Sequence, residues 1–88
     1  MGPSSRGYEM ELPAKLKALR LEEGLTQSEF SDLLGLSYST YKKHELALRA
    51  EMSSAVLLKI TNHPRFKKYA LWLVTGDTCG ECGQISPV

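Results

Sequence analysis

Thr26–Glu45, TQSEFSDLLGLSYSTYKKHE, reads as two short helices joined by a tight turn at Gly35. Thr26 and Glu29 have the spacing of a capping box, so Thr26 opens a helix whose inward face carries Phe30, Leu33 and Leu34. Gly35 ends that helix with a positive φ at little steric cost, Leu36 plugs the corner and Ser37 caps the next helix. At about 100° per residue, Tyr38, Ser39, Lys42, Lys43 and Leu46 share one arc of the second helix, while Thr40, Tyr41 and His44 point away from it. One face is therefore hydroxyl-rich and basic, and the other packs inward.

Two adjacent lysines on a solvated face need no function. Here they occur with a tight turn, a cap and a bracing helix within 20 residues, the combination a DNA-recognition helix requires. The stretch resembles the helix-turn-helix of the lambda-repressor-like, Cro-type (XRE-like) family of regulators. The resemblance rests on Leu25-Thr26-Gln27, Gly35, Ser37 and Glu45, with Trp72-Leu73-Val74-Thr75-Gly76 similar to the end of the family's last helix. It spans roughly Leu12 to Gly76. Tyr41, His44 and Ala47 depart from the residues common at those positions, as does Ser31 in the first helix of the motif. The resemblance implies an all-α, compact five-helix domain. It also implies an ion pair between Arg20 and Glu45 that ties the first helix to the recognition helix.

Composition agrees with a small domain. Eighty-eight residues accommodate one modest core, and no apolar run approaches a membrane span. The opening residues are too polar for a secretory signal, so the expectation is a cytoplasmic protein. The net charge is only +1, but it is unevenly spread. Residues 1–36 hold four basic and six acidic side chains, whereas residues 37–68 hold seven basic and two acidic. Positive charge thus gathers in the recognition helix and beyond it, as phosphate binding requires.

Residues 1–10 carry no periodicity and read as an N-terminal arm; residues 11–76 form the expected DNA-binding domain. Pro13 suits a first helical turn, and Leu12, Leu16 and Leu19 mark a helix that runs to about Glu23 and stops at Gly24. Lys15 and Lys17 read as its polar face. Leu46–Met52 is a loop containing Arg49. Ser53 or Ser54 caps a fourth helix that ends at Asn62-His63-Pro64, and a fifth runs from Arg65 to Val74. In the fifth, Phe66, Tyr69, Ala70 and Leu73 share one face, leaving Leu71, Trp72 and Val74 off it. Two readings cover those three residues: a second subunit packs on them, making a homodimer, or the tail folds back over Trp72.

Residues 77–88 read as a tail broken by glycines, with Cys79-Gly80-Glu81-Cys82 inside it. One cysteine pair falls short of the four ligands of a structural zinc site, and no βαβ pattern supports a thioredoxin-type motif. Reduced thiols are the plain reading of Cys79 and Cys82, with metal or redox sensing as the alternative. No nucleophile elbow, phosphate loop or metalloprotease motif is present, so neither an enzyme nor a cofactor is expected. His44 reads as a core or hydrogen-bonded histidine and His63 as a helix-end residue.

The expected function is a sequence-specific, double-stranded-DNA-binding regulator, a homodimeric repressor on a palindromic operator. Its expected contacts are Gln27, Ser37, Tyr38, Ser39, Thr40, Lys42, Lys43 and Arg49, with Gln27 reaching a phosphate and buttressing a base-reading residue. The alternatives are an antitoxin-like module with a protein partner, and a metal- or redox-responsive regulator.

Overall fold

The computed structural model describes residues 10–46 and 52–88. Among the described residues five α-helices follow one another: α1 (Leu12–Glu22), α2 (Gln27–Leu34), α3 (Tyr38–Glu45), α4 (Ser54–Thr61) and α5 (Ala70–Thr75). Single 3₁₀ turns lie at Lys67–Tyr69 and Gly80–Cys82. The architecture is all-α, and among the described residues the only β pairing is an isolated bridge between Cys79 and Gln84.

Local chemistry sets the helix boundaries. Pro13 opens α1, and Gly24 closes its end at φ 70°. The capping box at α2 is complete: Thr26 Oγ1 accepts from the Glu29 N–H at 3.0 Å, and Glu29 Oε1 accepts from the Thr26 N–H at 2.9 Å. Gly35 sits at φ 71°, and the Leu36 N–H donates to the Ser31 carbonyl at 2.9 Å to complete the turn. Ser37 caps α3 and Ser53 caps α4.

The core gathers around Phe30. Its ring meets Tyr41 (5.1 Å between centroids, 83°) and Phe66 (4.9 Å, 87°) edge-on, the geometry that the aromatic quadrupole favours. Leu16 and Leu19 of α1, Leu34 of α2, Ile60 of α4, and Tyr69, Trp72 and Leu73 complete it. This packing holds α1, α2 and α3 as one body, with α3 displayed on its flank.

Several expectations are corrected. Leu33 does not face inward; it is 40% exposed. The buried stripe of α2 runs through Phe30, Leu34 and Ser31, and Leu33 lies on its shoulder, about 100° from the centre of that stripe. Ser31 can be buried because its hydroxyl donates to the Ser28 carbonyl at 2.8 Å.

Lys15 is not on the polar face of α1; it is buried. Its position borders Leu12 and Leu19 on the wheel, and its Nζ donates to the Trp72 and Leu73 carbonyls, each at 3.2 Å. Those carbonyls lie near the C-terminal, electronegative end of α5, and the ammonium also stands 5.5 Å from the Trp72 ring centroid. Burial lowers the Lys15 pKa.

The fifth helix is not one α-helix from Arg65. It begins with the 3₁₀ turn and becomes α-helical at Ala70. The 3₁₀ turn brings Tyr69 into line with Phe66, and at the α-helical 100° per residue beyond it Trp72 falls about 60° from them, on the buried side. Trp72 is therefore 1% exposed within its own chain, so it is removed from the expected subunit interface. Leu71 is half-buried, and Val74 is 62% exposed.

The tail is neither featureless nor a carrier of reduced thiols. Cys79 and Cys82 are joined in a disulfide, and residues 84–85 hydrogen-bond to Lys67, Lys68 and Leu71. The chain after Gly76 therefore returns to the start of α5.

Candidate nucleic-acid interface

The outer face of α3 presents Tyr38, Ser39, Lys42 and Lys43, all exposed. Tyr38 and Lys42 lie one turn apart, with the Lys42 ammonium 5.6 Å from the Tyr38 ring centroid. Ser37, also exposed, caps the helix. Its Oγ accepts from the Thr40 N–H at 3.1 Å and donates to Thr40 Oγ1 at 2.8 Å. Thr40 is half-buried, whereas Tyr41 and His44 are buried on the inner face.

The orientation of α3 is held from beneath by Glu45. Arg20 grips its carboxylate bidentately, Nε to Oε2 at 3.0 Å and Nη2 to Oε1 at 2.9 Å. The two side chains are only 11% and 3% exposed. Gln27 Nε2 donates to Oε1 at 3.1 Å, and the Tyr41 phenol donates to Oε2. Four donors thus converge on one buried carboxylate. Burial alone would push the Glu45 pKa up, but hydrogen bonds from Arg20, Tyr41 and Gln27 bring it below the ordinary carboxylate value. The bond to Glu45 raises the Arg20 pKa. Burial, followed by the bond to Glu45, raises that of the Tyr41 phenol, which therefore stays a donor. Arg20 Nη1 also donates to the Leu25 carbonyl at 2.9 Å, which anchors the α1–α2 connection.

Gln27 carries this order outward. Its amide nitrogen is used by Glu45, and its Oε1 accepts from the Tyr38 hydroxyl at 3.4 Å. The path Arg20–Glu45–Gln27–Tyr38 links the buried pair to the exposed face. Reading the sequence alone missed Tyr41 as a member of this network. The i, i+4 spacing of Tyr41 and Glu45 on α3 was the available signal.

A second polar cluster gathers at Glu23, the C-cap of α1, one turn beyond Arg20. Glu23 accepts from Arg65 Nε at 2.7 Å, from the Tyr69 hydroxyl at 2.7 Å, and pairs with Lys68 Nζ at 3.2 Å. Burial would raise its pKa, but these three partners hold it at about 2. Two of the basic residues in the 37–68 charge excess are thus engaged with Glu23. His63 Nδ1 accepts from the Arg65 N–H, and its ring stacks on Phe66, in keeping with a helix-end role.

Arg49 lies outside the described residues, as do residues 1–9 of the N-terminal arm. Among the described residues, no group of three or more His, Cys, Asp or Glu side chains is placed to hold a metal ion. No helix there is long and apolar enough to cross a membrane.

Comparison with known proteins agrees with this geometry. The sequence model of the helix-turn-helix family matches residues 16–64, from the middle of α1 past the end of α4. Repressor protein C of Escherichia phage P2 is 34% identical over 73 residues, an alignment covering 83% of this chain and 73% of that protein. With its capped α2, its glycine turn and its anchored α3, the chain belongs to the lambda-repressor-like helix-turn-helix family of DNA-binding regulators.

Proposed function

We propose that the protein is a sequence-specific transcriptional repressor that binds double-stranded DNA as a homodimer, with residues 11–76 as the DNA-binding domain. The observation that carries this reading is α3 itself: a helix fixed internally through Glu45, with Tyr38, Ser39, Lys42 and Lys43 left outward and without a core role. In this reading α3 enters the major groove. Lys42 and Lys43 donate to guanine O6 and N7, while Tyr38 and Ser39 read base or phosphate. Gln27 buttresses Tyr38 and touches the backbone. Ser37 and Thr40 act through the helix start, and Arg49 adds a phosphate contact.

Repression is supported by the likeness to the phage P2 repressor, and a cytoplasmic location belongs to the same reading. Leu71 and Val74 are the proposed dimer residues, with Val74 the more exposed. A two-fold pair of α3 helices would read half-sites about 10 bp, or ~34 Å, apart.

Selection of duplexes from a random pool at near-physiological salt tests the proposal. A palindrome with half-sites about one turn apart is the expected result. Enrichment of one isolated half-site removes the dimer, and weak binding without enrichment removes the function. Within the selected site, Lys42→Ala relaxes preference at one base position, at a cost of roughly 1–3 kcal/mol.

A further inference from the structure

The segment after α5 holds an arrangement that lies outside the proposed DNA contacts. The Cys79–Cys82 disulfide closes around the 3₁₀ turn Gly80–Cys82. The backbone of Cys79 then pairs with Gln84 in both directions, N–H to carbonyl at 2.9 Å each way. This bridge fixes Gln84, whose side chain spans the entry of α5. Its Oε1 accepts from the Leu71 N–H at 2.9 Å, and its Nε2 donates to the Lys67 carbonyl at 3.0 Å. Ile85 adds an N–H bond to the Lys68 carbonyl at 2.8 Å.

The start of α5 requires such help. Tyr69 at its N-cap makes no side-chain capping bond, and the first N–H groups of a helix have no partner inside it. A six-residue helix has little stability of its own. Gln84 therefore does from the tail what Thr26 does locally for α2: it accepts a first-turn N–H.

We propose that Cys79–Cys82 is a thiol–disulfide modification site whose redox state sets how firmly Gln84 caps α5. Cys82 is exposed and Cys79 half-buried, so the bond is open to attack. The co-reactant is a dithiol reductant. One of its thiolates attacks one cysteine sulfur, and the other cysteine leaves as a thiolate. The reductant's second thiol resolves the mixed disulfide. Two electrons and two protons pass to the cysteine pair, and the reductant departs as its own disulfide. The opened ring no longer constrains Cys79 against Gln84, and the cap on Leu71 loosens.

Amide hydrogen exchange followed by NMR, on the full chain before and after treatment with dithiothreitol, tests this. Reduction accelerates exchange at Leu71 and Ile85 by about tenfold or more while α2 amides keep their protection. The double variant Cys79→Ser/Cys82→Ser exchanges like the reduced protein and ignores the reductant. Gln84→Ala exposes the Leu71 amide in both redox states. The proposal is overturned by equal Leu71 exchange before and after reduction, by equal acceleration throughout α2 and α5, or by two free thiols after oxidation.

Discussion

Two carboxylates flank α1, and they are held in contrasting ways. Glu45 is enclosed and meets a nearly buried arginine, an amide and a buried phenol. Glu23 is 10% exposed, but its cationic partners Arg65 and Lys68 are each 42% exposed. The same type of ion pair therefore does different work in the two places. An enclosed carboxylate stripped of its partner has no water to turn to, whereas Arg65 and Lys68 lose a partner and regain solvent. The first cluster sets the position of the recognition helix. The second fastens the α5 half of the chain to α1, using side chains that a salt solution screens.

The sharpest break of this contrast is Glu45→Ala. It leaves Arg20 unpaired in a nearly buried site and should cost roughly 3–5 kcal/mol in denaturant unfolding. A loss below about 1 kcal/mol would place the pair in the same class as surface bridges and erase the distinction. Tyr41→Phe comes next. It removes one hydrogen bond to an ionised group without opening a cavity, at an expected ~1.5–3 kcal/mol. Glu23→Gln should cost about 1 kcal/mol, because the Arg65 guanidinium keeps its bond to the Glu23 main-chain carbonyl. Smallest is Lys68→Ala, at ~0–1 kcal/mol and fading as salt is added. The effect of Glu45→Ala should change little with salt.

Acid sharpens the comparison further. Glu23 is lowered from the ordinary 4.5 to about 2, so its stabilisation is complete above pH 4.5 and lost as pH falls towards 2. Glu45 is also lowered, which gives the same sign. Glu23→Gln should therefore lose less stability than wild type between about pH 4.5 and 2, as followed by circular dichroism across an acid titration.

The helix-turn-helix was legible in the sequence because every signal for it is local. Thr26 with Glu29, Gly35, and Ser37 each act on backbone groups a few residues away, and the structure shows those caps and that turn. The outward arc of α3 followed from helical period alone. The Arg20–Glu45 contact was different. It joins residues 25 apart, and only likeness to a family suggested it. Trp72 was misread for a definable reason: its chain segment changes from three residues per turn to 3.6, and a single assumed period put it on the wrong side.

What the sequence determined by itself, then, is where helices begin and end and which way α3 faces, because these depend on interactions within one or two turns. Only the tertiary structure decided which distant groups meet. Lys15 lies against the end of α5, Tyr41 joins Glu45 beneath the recognition helix, Trp72 enters the core, and Gln84 caps a helix that begins 14 residues earlier. A buried polar group must find a partner wherever the packed chain supplies one. That partner is chosen by the meeting of surfaces far apart in sequence, which no local pattern encodes.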